Sequence, residues 1–72
     1  MFNIDLKKPK KTGRWTEYSS GRKVCEYDNL KQAVEDARER AEVHIENTGE
    51  EVKLWVHEEG KEPRQVMLAD WS

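Results

Sequence analysis

Three side chains in this 72-residue chain have the chemistry of a nucleophile or a soft metal ligand: Cys25, His44 and His57. A cysteine becomes a working nucleophile when a histidine within hydrogen-bond reach takes its proton. Here the three lie on separate elements. His57 falls on the opposite side of an alternating strand from Val52, Leu54 and Val56, and His44 flanks the apolar stripe of a helix, where it reads as an edge residue hydrogen-bonded to the sheet. With a single cysteine, neither zinc-ligand spacing nor a redox pair is present, and no intramolecular disulfide can form. Gly13, Gly21, Gly49 and Gly60 are isolated and turn-placed, so no glycine-rich loop cradles a phosphate. The carboxylates are spread over solvated faces rather than paired in an apolar setting. The expectation is a non-catalytic chain with no cofactor, no metal and no small-molecule substrate.

Two other groups have the chemistry of binding. Lys7, Lys8, Lys10 and Lys11, with Arg14, Arg22 and Lys23, form a basic head: residues 1–24 carry seven Lys/Arg against two acids, and residues 25–72 carry six against thirteen. That asymmetry, net +5 against net −7, can steer a nucleic acid or bring two copies together. The same lysines in a solvated loop would also keep the chain soluble and blunt a sheet edge. The second group is Tyr18, Trp55, Met67 and Trp71, which strand alternation places on one sheet face. Trp, Tyr and Met are enriched in interface cores, and a small domain rarely leaves such a patch bare. The alternative cover is the chain's own C-terminal tail or the aliphatic stem of Lys53.

These residues need a scaffold, and the strongest scaffold signal runs from Asp28 to Gly49. Leu30, Ala33, Val34, Ala37, Ala41 and Ile45 recur at helical spacing on one face. Gln32, Glu35, Asp36, Glu39, Glu42 and Glu46 occupy the other. Asp28 or Asn29 can cap the start, and Gly49 can end the helix in a left-handed turn. The spacing predicts a helix over about 29–47, with Asp36 and Arg40 as an i, i+4 ion pair.

The remaining chain alternates with the period of strands. Phe2, Ile4 and Leu6 share one side of the first segment, followed by a basic loop at 7–13 broken by Pro9 and Gly13. Residues 14–27 read as a hairpin with a three-residue loop, Ser19-Ser20-Gly21. That register pairs Trp15 with Cys25, Glu17 with Lys23 and Arg14 with Glu26, and puts Trp15, Cys25 and Tyr27 on the core face. Residues 51–57 alternate with Val52, Leu54 and Val56 toward the helix. A turn at 58–61 and Pro63 lead into a last strand over 64–69, with Val66 and Leu68 on the core side. The expected fold is α+β: one domain over residues 1–72, an antiparallel sheet of four or five strands in the order β-ββ-α-ββ, with the helix on one face. With 35% apolar and 39% charged residues, one small core should supply about 3–5 kcal/mol. No apolar run approaches a membrane span, no signal-peptide core is present, and the cysteine count suits a cytoplasmic setting.

Trp15, the turn at Gly21, Tyr27 and the capped helix with Ala33, Ala37 and Ala41 resemble small bacterial and phage domains of unassigned role. The same residues are similar to the arm-type DNA-binding domain of phage integrases, a three-stranded sheet with one helix. Both resemblances cover about residues 14–46. They imply a phage- or mobile-element-encoded module, and the integrase likeness implies DNA binding. Independently of it, the basic side chains Lys7, Lys8, Lys10, Lys11, Arg14, Arg22 and Lys23 could track a phosphate backbone, with Tyr18 or Trp55 stacking on bases. The expected function is protein interaction through the sheet face away from the helix, or self-association; nucleic-acid binding is the alternative.

Overall fold

Asn29 starts the helix by accepting a hydrogen bond from the Gln32 amide at 2.9 Å, which satisfies one of the orphan donors of the first turn. In the computed structural model, which describes residues 2–11 and 13–66, the elements are β1 (Phe2–Lys7), β2 (Trp15–Ser19), β3 (Arg22–Tyr27), α1 (Leu30–Thr48), β4 (Val52–His57) and β5 (Arg64–Val66). Gly49 ends α1 at φ 71°, its amide donating to the Ile45 carbonyl at 2.7 Å. The left-handed conformation there is the one that a residue without Cβ adopts at no cost.

The five strands form one sheet in the order β3-β2-β1-β4-β5. Three of the four pairings are antiparallel, but β1 and β4 run parallel, with Phe2 opposite Val52 and Lys7 opposite His57. The sheet is therefore mixed, a correction to the all-antiparallel expectation. The physical reason is the length of α1. Nineteen helical residues rise about 28 Å, enough to carry the chain the full length of the sheet. The helix leaves from the Tyr27 end, beside Trp15, and delivers Val52 next to Phe2, so β4 starts where β1 starts.

The hairpin closes with two residues rather than three. Ser19 pairs with Arg22, and Ser20 and Gly21 take φ 51° and 84°, the paired positive values of the tight hairpin turn whose twist suits the flanking strands. A bulge between Glu17 and Tyr18 then leaves Val24 extra on β3, so that Trp15 faces Tyr27, Thr16 faces Glu26 and Glu17 faces Cys25. The expected pairings of Trp15 with Cys25 and Glu17 with Lys23 are replaced. Cys25, expected in the core, is exposed on the edge strand.

The core lies between α1 and one face of the sheet. Ile4, Leu6, Trp15, Val52, Leu54 and Val56 meet Ala33, Val34, Ala37 and Ala41. The three alanines present almost no side chain, which lets the helix backbone approach the sheet closely. Ile45, expected on the same stripe, is exposed at the far end of the helix. Val66 packs against the core from β5, as alternation predicts. Leu68, Met67 and Trp71 lie outside the described residues.

Candidate functional site

The sheet face away from the helix is built from residues of all five strands, with Lys23 and Glu26 of β3 beside Tyr18 and Thr16 at one edge. Register places Tyr18, Asp5, Trp55 and Gln65 in one row across β2, β1, β4 and β5. A second row runs Thr16, Lys7 and His57, and a third contains Asn3 and Lys53. The parallel β1–β4 pair makes this face. It brings Asn3 and Asp5 beside Trp55 and His57, residues more than fifty positions away in the chain.

Side chains cross the β1–β4 seam diagonally. The Trp55 Nε1–H donates to Asn3 Oδ1 at 3.4 Å, and His57 Nε2–H donates to Asp5 Oδ1 at 2.7 Å. Both bonds lean one register step toward the start of β1. They hold the indole and imidazole rings against the sheet, and Trp55 and His57 are half-buried. Asn3, Asp5, Trp55, His57 and Pro63 line an open depression of about 450 Å³. On the other flank of Asp5, the Lys7 ammonium sits 5.5 Å from the centroid of the Tyr18 ring, within the range of a cation–π contact.

Two of the four aromatic-patch candidates, Tyr18 and Trp55, thus share this face, and the row they form is centred on a carboxylate between them. Asp5 was not evident from the sequence, because the pairing that puts it next to Trp55 depends on which strand β4 chooses. His44 has a different role from the expected hydrogen bond to the sheet. It stacks on Phe2 with ring centroids 4.0 Å apart and bonds Glu50 Oε1 at 2.9 Å. That hydrogen bond holds the Glu50 carboxyl below its ordinary value.

The basic candidates divide between the two ends of the sheet. Lys7 closes β1; Lys8, Lys10, Lys11 and Arg14 surround the following loop; Arg22 and Lys23 stand beside the hairpin turn at the opposite end, near Asn3. Several are met by acids of the same chain. Lys10 pairs with Glu59 at 3.0 Å, Arg14 with Asp28 at 3.0 Å and Lys23 with Glu26 at 2.7 Å. The bulge explains the last pair: it brings residues 23 and 26, facing Tyr18 and Thr16, to the same face. Their mutual hydrogen bond raises the Lys23 ammonium and lowers the Glu26 carboxyl from their ordinary values.

On the helix side of the sheet lies a polar cluster that the sequence reading missed. Glu17 is completely buried. Its Oε2 accepts from Arg40 Nε at 2.7 Å, and its Oε1 lies 2.9 Å from the Tyr27 hydroxyl. That hydroxyl also reaches Asp36 Oδ2 at 2.5 Å, and Arg40 Nη2 approaches the same oxygen at 3.5 Å. Burial first, then the bond to Asp36, drives the Tyr27 phenol far above its ordinary value. Burial alone would lower the Arg40 guanidinium, but the Glu17 hydrogen bond and charge reverse that and raise it. All the groups that answer Glu17 belong to this chain, so the cluster ties α1 to β2 and β3. Strand alternation carried the signal, since Glu17 follows Trp15 by two residues and must share its face.

Among the described residues, no group of three or more His, Cys, Asp or Glu is arranged to hold a metal ion, and no helix is long and apolar enough to cross a membrane. No protein-family model, no curated protein and no solved structure matches the chain.

Proposed function

We propose that this chain is a non-catalytic protein-interaction module that binds through the sheet face away from the helix, by capturing a partner or a second copy. The observation that carries the reading is the position of Trp55. It stands between Leu54 and Val56, both buried beneath α1, so its ring is committed to the other face, where it borders an open depression with Asp5 and His57. An indole fixed by a hydrogen bond to Asn3 loses little further freedom on binding, and large aromatics desolvated by a partner dominate interface energy, at about 2 kcal/mol or more on truncation. Nucleic-acid binding is less supported, because the basic side chains are split between two ends of the sheet and three of the seven are engaged by acids.

Trp55→Ser should cost little monomer stability and should weaken self-association or partner capture. Thermal unfolding and sedimentation of both proteins over a range of concentrations check this, together with comparative capture from cells of the source organism. A large stability loss at concentrations where both are monomeric would assign Trp55 to the core and remove the interface reading.

A further inference from the structure

We propose that the depression between Asp5 and Trp55 seats an arginine side chain of a protein partner. This rests on the interaction-face reading above and names the chemistry of its anchor. A guanidinium is planar, presents N–H donors in a fork that matches a carboxylate, and stacks on aromatic faces. The depression offers each complement. Asp5 Oδ1 accepts from His57, while Oδ2 has no hydrogen bond among the described residues, and no unpartnered polar side-chain atom among them is buried. The Asp5 side chain is 26% exposed, so that oxygen is available as an acceptor. Trp55 stands directly across the strand pair from Asp5, so its indole and the carboxylate border the same space. Asn3 already spends its carbonyl on the Trp55 Nε1–H, and Pro63 supplies an apolar wall.

Charge favours a cation in this position. Among the described residues, Asp5 and the His57 ring are the ionisable groups that line the depression, and no lysine does. The nearest lysine on the first strand, Lys7, lays its ammonium on the Tyr18 ring, on the opposite flank of Asp5. The chain's own cation thus already occupies one aromatic neighbour of Asp5, and the Trp55 side of the same row has no such occupant among the described residues. An ammonium would gain the charge contact but not the two-point fork or the planar stack, so arginine is preferred over lysine.

The test is an NMR titration of the full chain with the peptide acetyl-Gly-Arg-Gly-amide, run beside its citrulline and lysine counterparts and a single-stranded oligothymidylate. Citrulline keeps the shape of arginine and removes its charge. The arginine peptide should produce saturable shifts in the Trp55 indole N–H and the Asn3 side-chain amide, with the citrulline peptide weaker by about tenfold or more. Asp5→Asn, which retains an acceptor for His57, should weaken the arginine peptide to the same degree. The arginine–citrulline comparison uses the unaltered protein and stands if that variant fails to fold. Equal binding of citrulline, preference for lysine, shifts confined to other residues, or binding of the oligonucleotide alone would each overturn the proposal. If the arginine peptide does nothing while Trp55→Ser still abolishes association, the cationic anchor fails and the interaction face stands.

Discussion

At the scale of the residue, Glu17 decides most. A fully buried carboxylate is tolerable when its oxygens are met by donors and a positive charge, and removing one partner leaves the charge without compensation. Arg40→Ala should therefore cost about 3 kcal/mol, a large part of what a domain this small possesses. The double variant Glu17→Met/Arg40→Ala should recover much of that loss, because the charge is gone as well. Chemical denaturation of the two variants checks the claim, and equal stability would mean that Arg40 does not compensate Glu17. Tyr27 makes a prediction about pH. Its phenol is raised above the ordinary value of 10.0, so the folded state keeps a proton that the unfolded state releases. Stability from this group is complete below that pH and is lost as pH climbs above it. In a Tyr18→Phe background, where Tyr27 is the one remaining phenol, phenolate absorbance should rise only together with unfolding. A phenolate signal from folded protein near pH 10 would refute the burial of that hydroxyl. The Glu17 cluster was legible in part, since the step from Trp15 to Glu17 fixes the face. Its partners were not, because Tyr27 and Arg40 meet Glu17 only once helix and hairpin are docked.

The elements themselves are local objects, and local signals located them. Asn29 and Gly49 bracket α1 through capping chemistry, and Val52, Leu54 and Val56 show the two-residue period of a strand with one face buried. Ala37→Asp should unfold the protein, because Ala37 is wholly buried where the helix crosses the sheet and a carboxylate placed there loses its hydration in an already filled core. A well-dispersed NMR spectrum from that variant would show that the face is misassigned. What local signals could not supply is the partner of each strand. The alternation of β4 is the same whether it lies beside β3 or beside β1, and whether it runs with or against its neighbour. The hairpin register failed for a related reason: Val24 adds a residue to one strand without breaking the apolar pattern, and a one-residue slip reassigns every facing pair. The Asp5–His57 and Asn3–Trp55 contacts inherit that ambiguity, so alternation could assign aromatics to the outer sheet face but not the row that sets a carboxylate between two of them.

Across the whole molecule, charge is divided by sequence more than by space. The basic loop after β1 lies beside Glu58 and Glu59, and Arg14 is held by Asp28, so the net +5 of residues 1–24 is partly cancelled where it is exposed. Replacing Lys7, Lys8, Lys10 and Lys11 by Ser should accordingly leave the fold intact. If these lysines engage phosphates, the same change should remove most affinity for DNA or RNA and flatten its salt dependence. Gel-shift titrations at low and high salt measure this, and a wild type that binds neither single- nor double-stranded forms at low salt would eliminate the nucleic-acid alternative. The parallel pairing at the centre of the sheet also sets an order in time. Strands β1, β2 and β3 are near neighbours in the chain, but every β1–β4 pair joins residues fifty positions apart. Closing a loop of that length costs entropy before any contact repays it. The meander of the first three strands and α1 can collapse early, and until β4 arrives the β1 strand stands as an open edge, with Ile4 and Leu6 covered on one flank only. A chain that closes its local contacts first would hold that half-sheet until the distant strand docks. A β4–β5 hairpin from a neighbouring chain fits the same gap, which makes exchange of that hairpin between two molecules the characteristic hazard of this topology at high concentration.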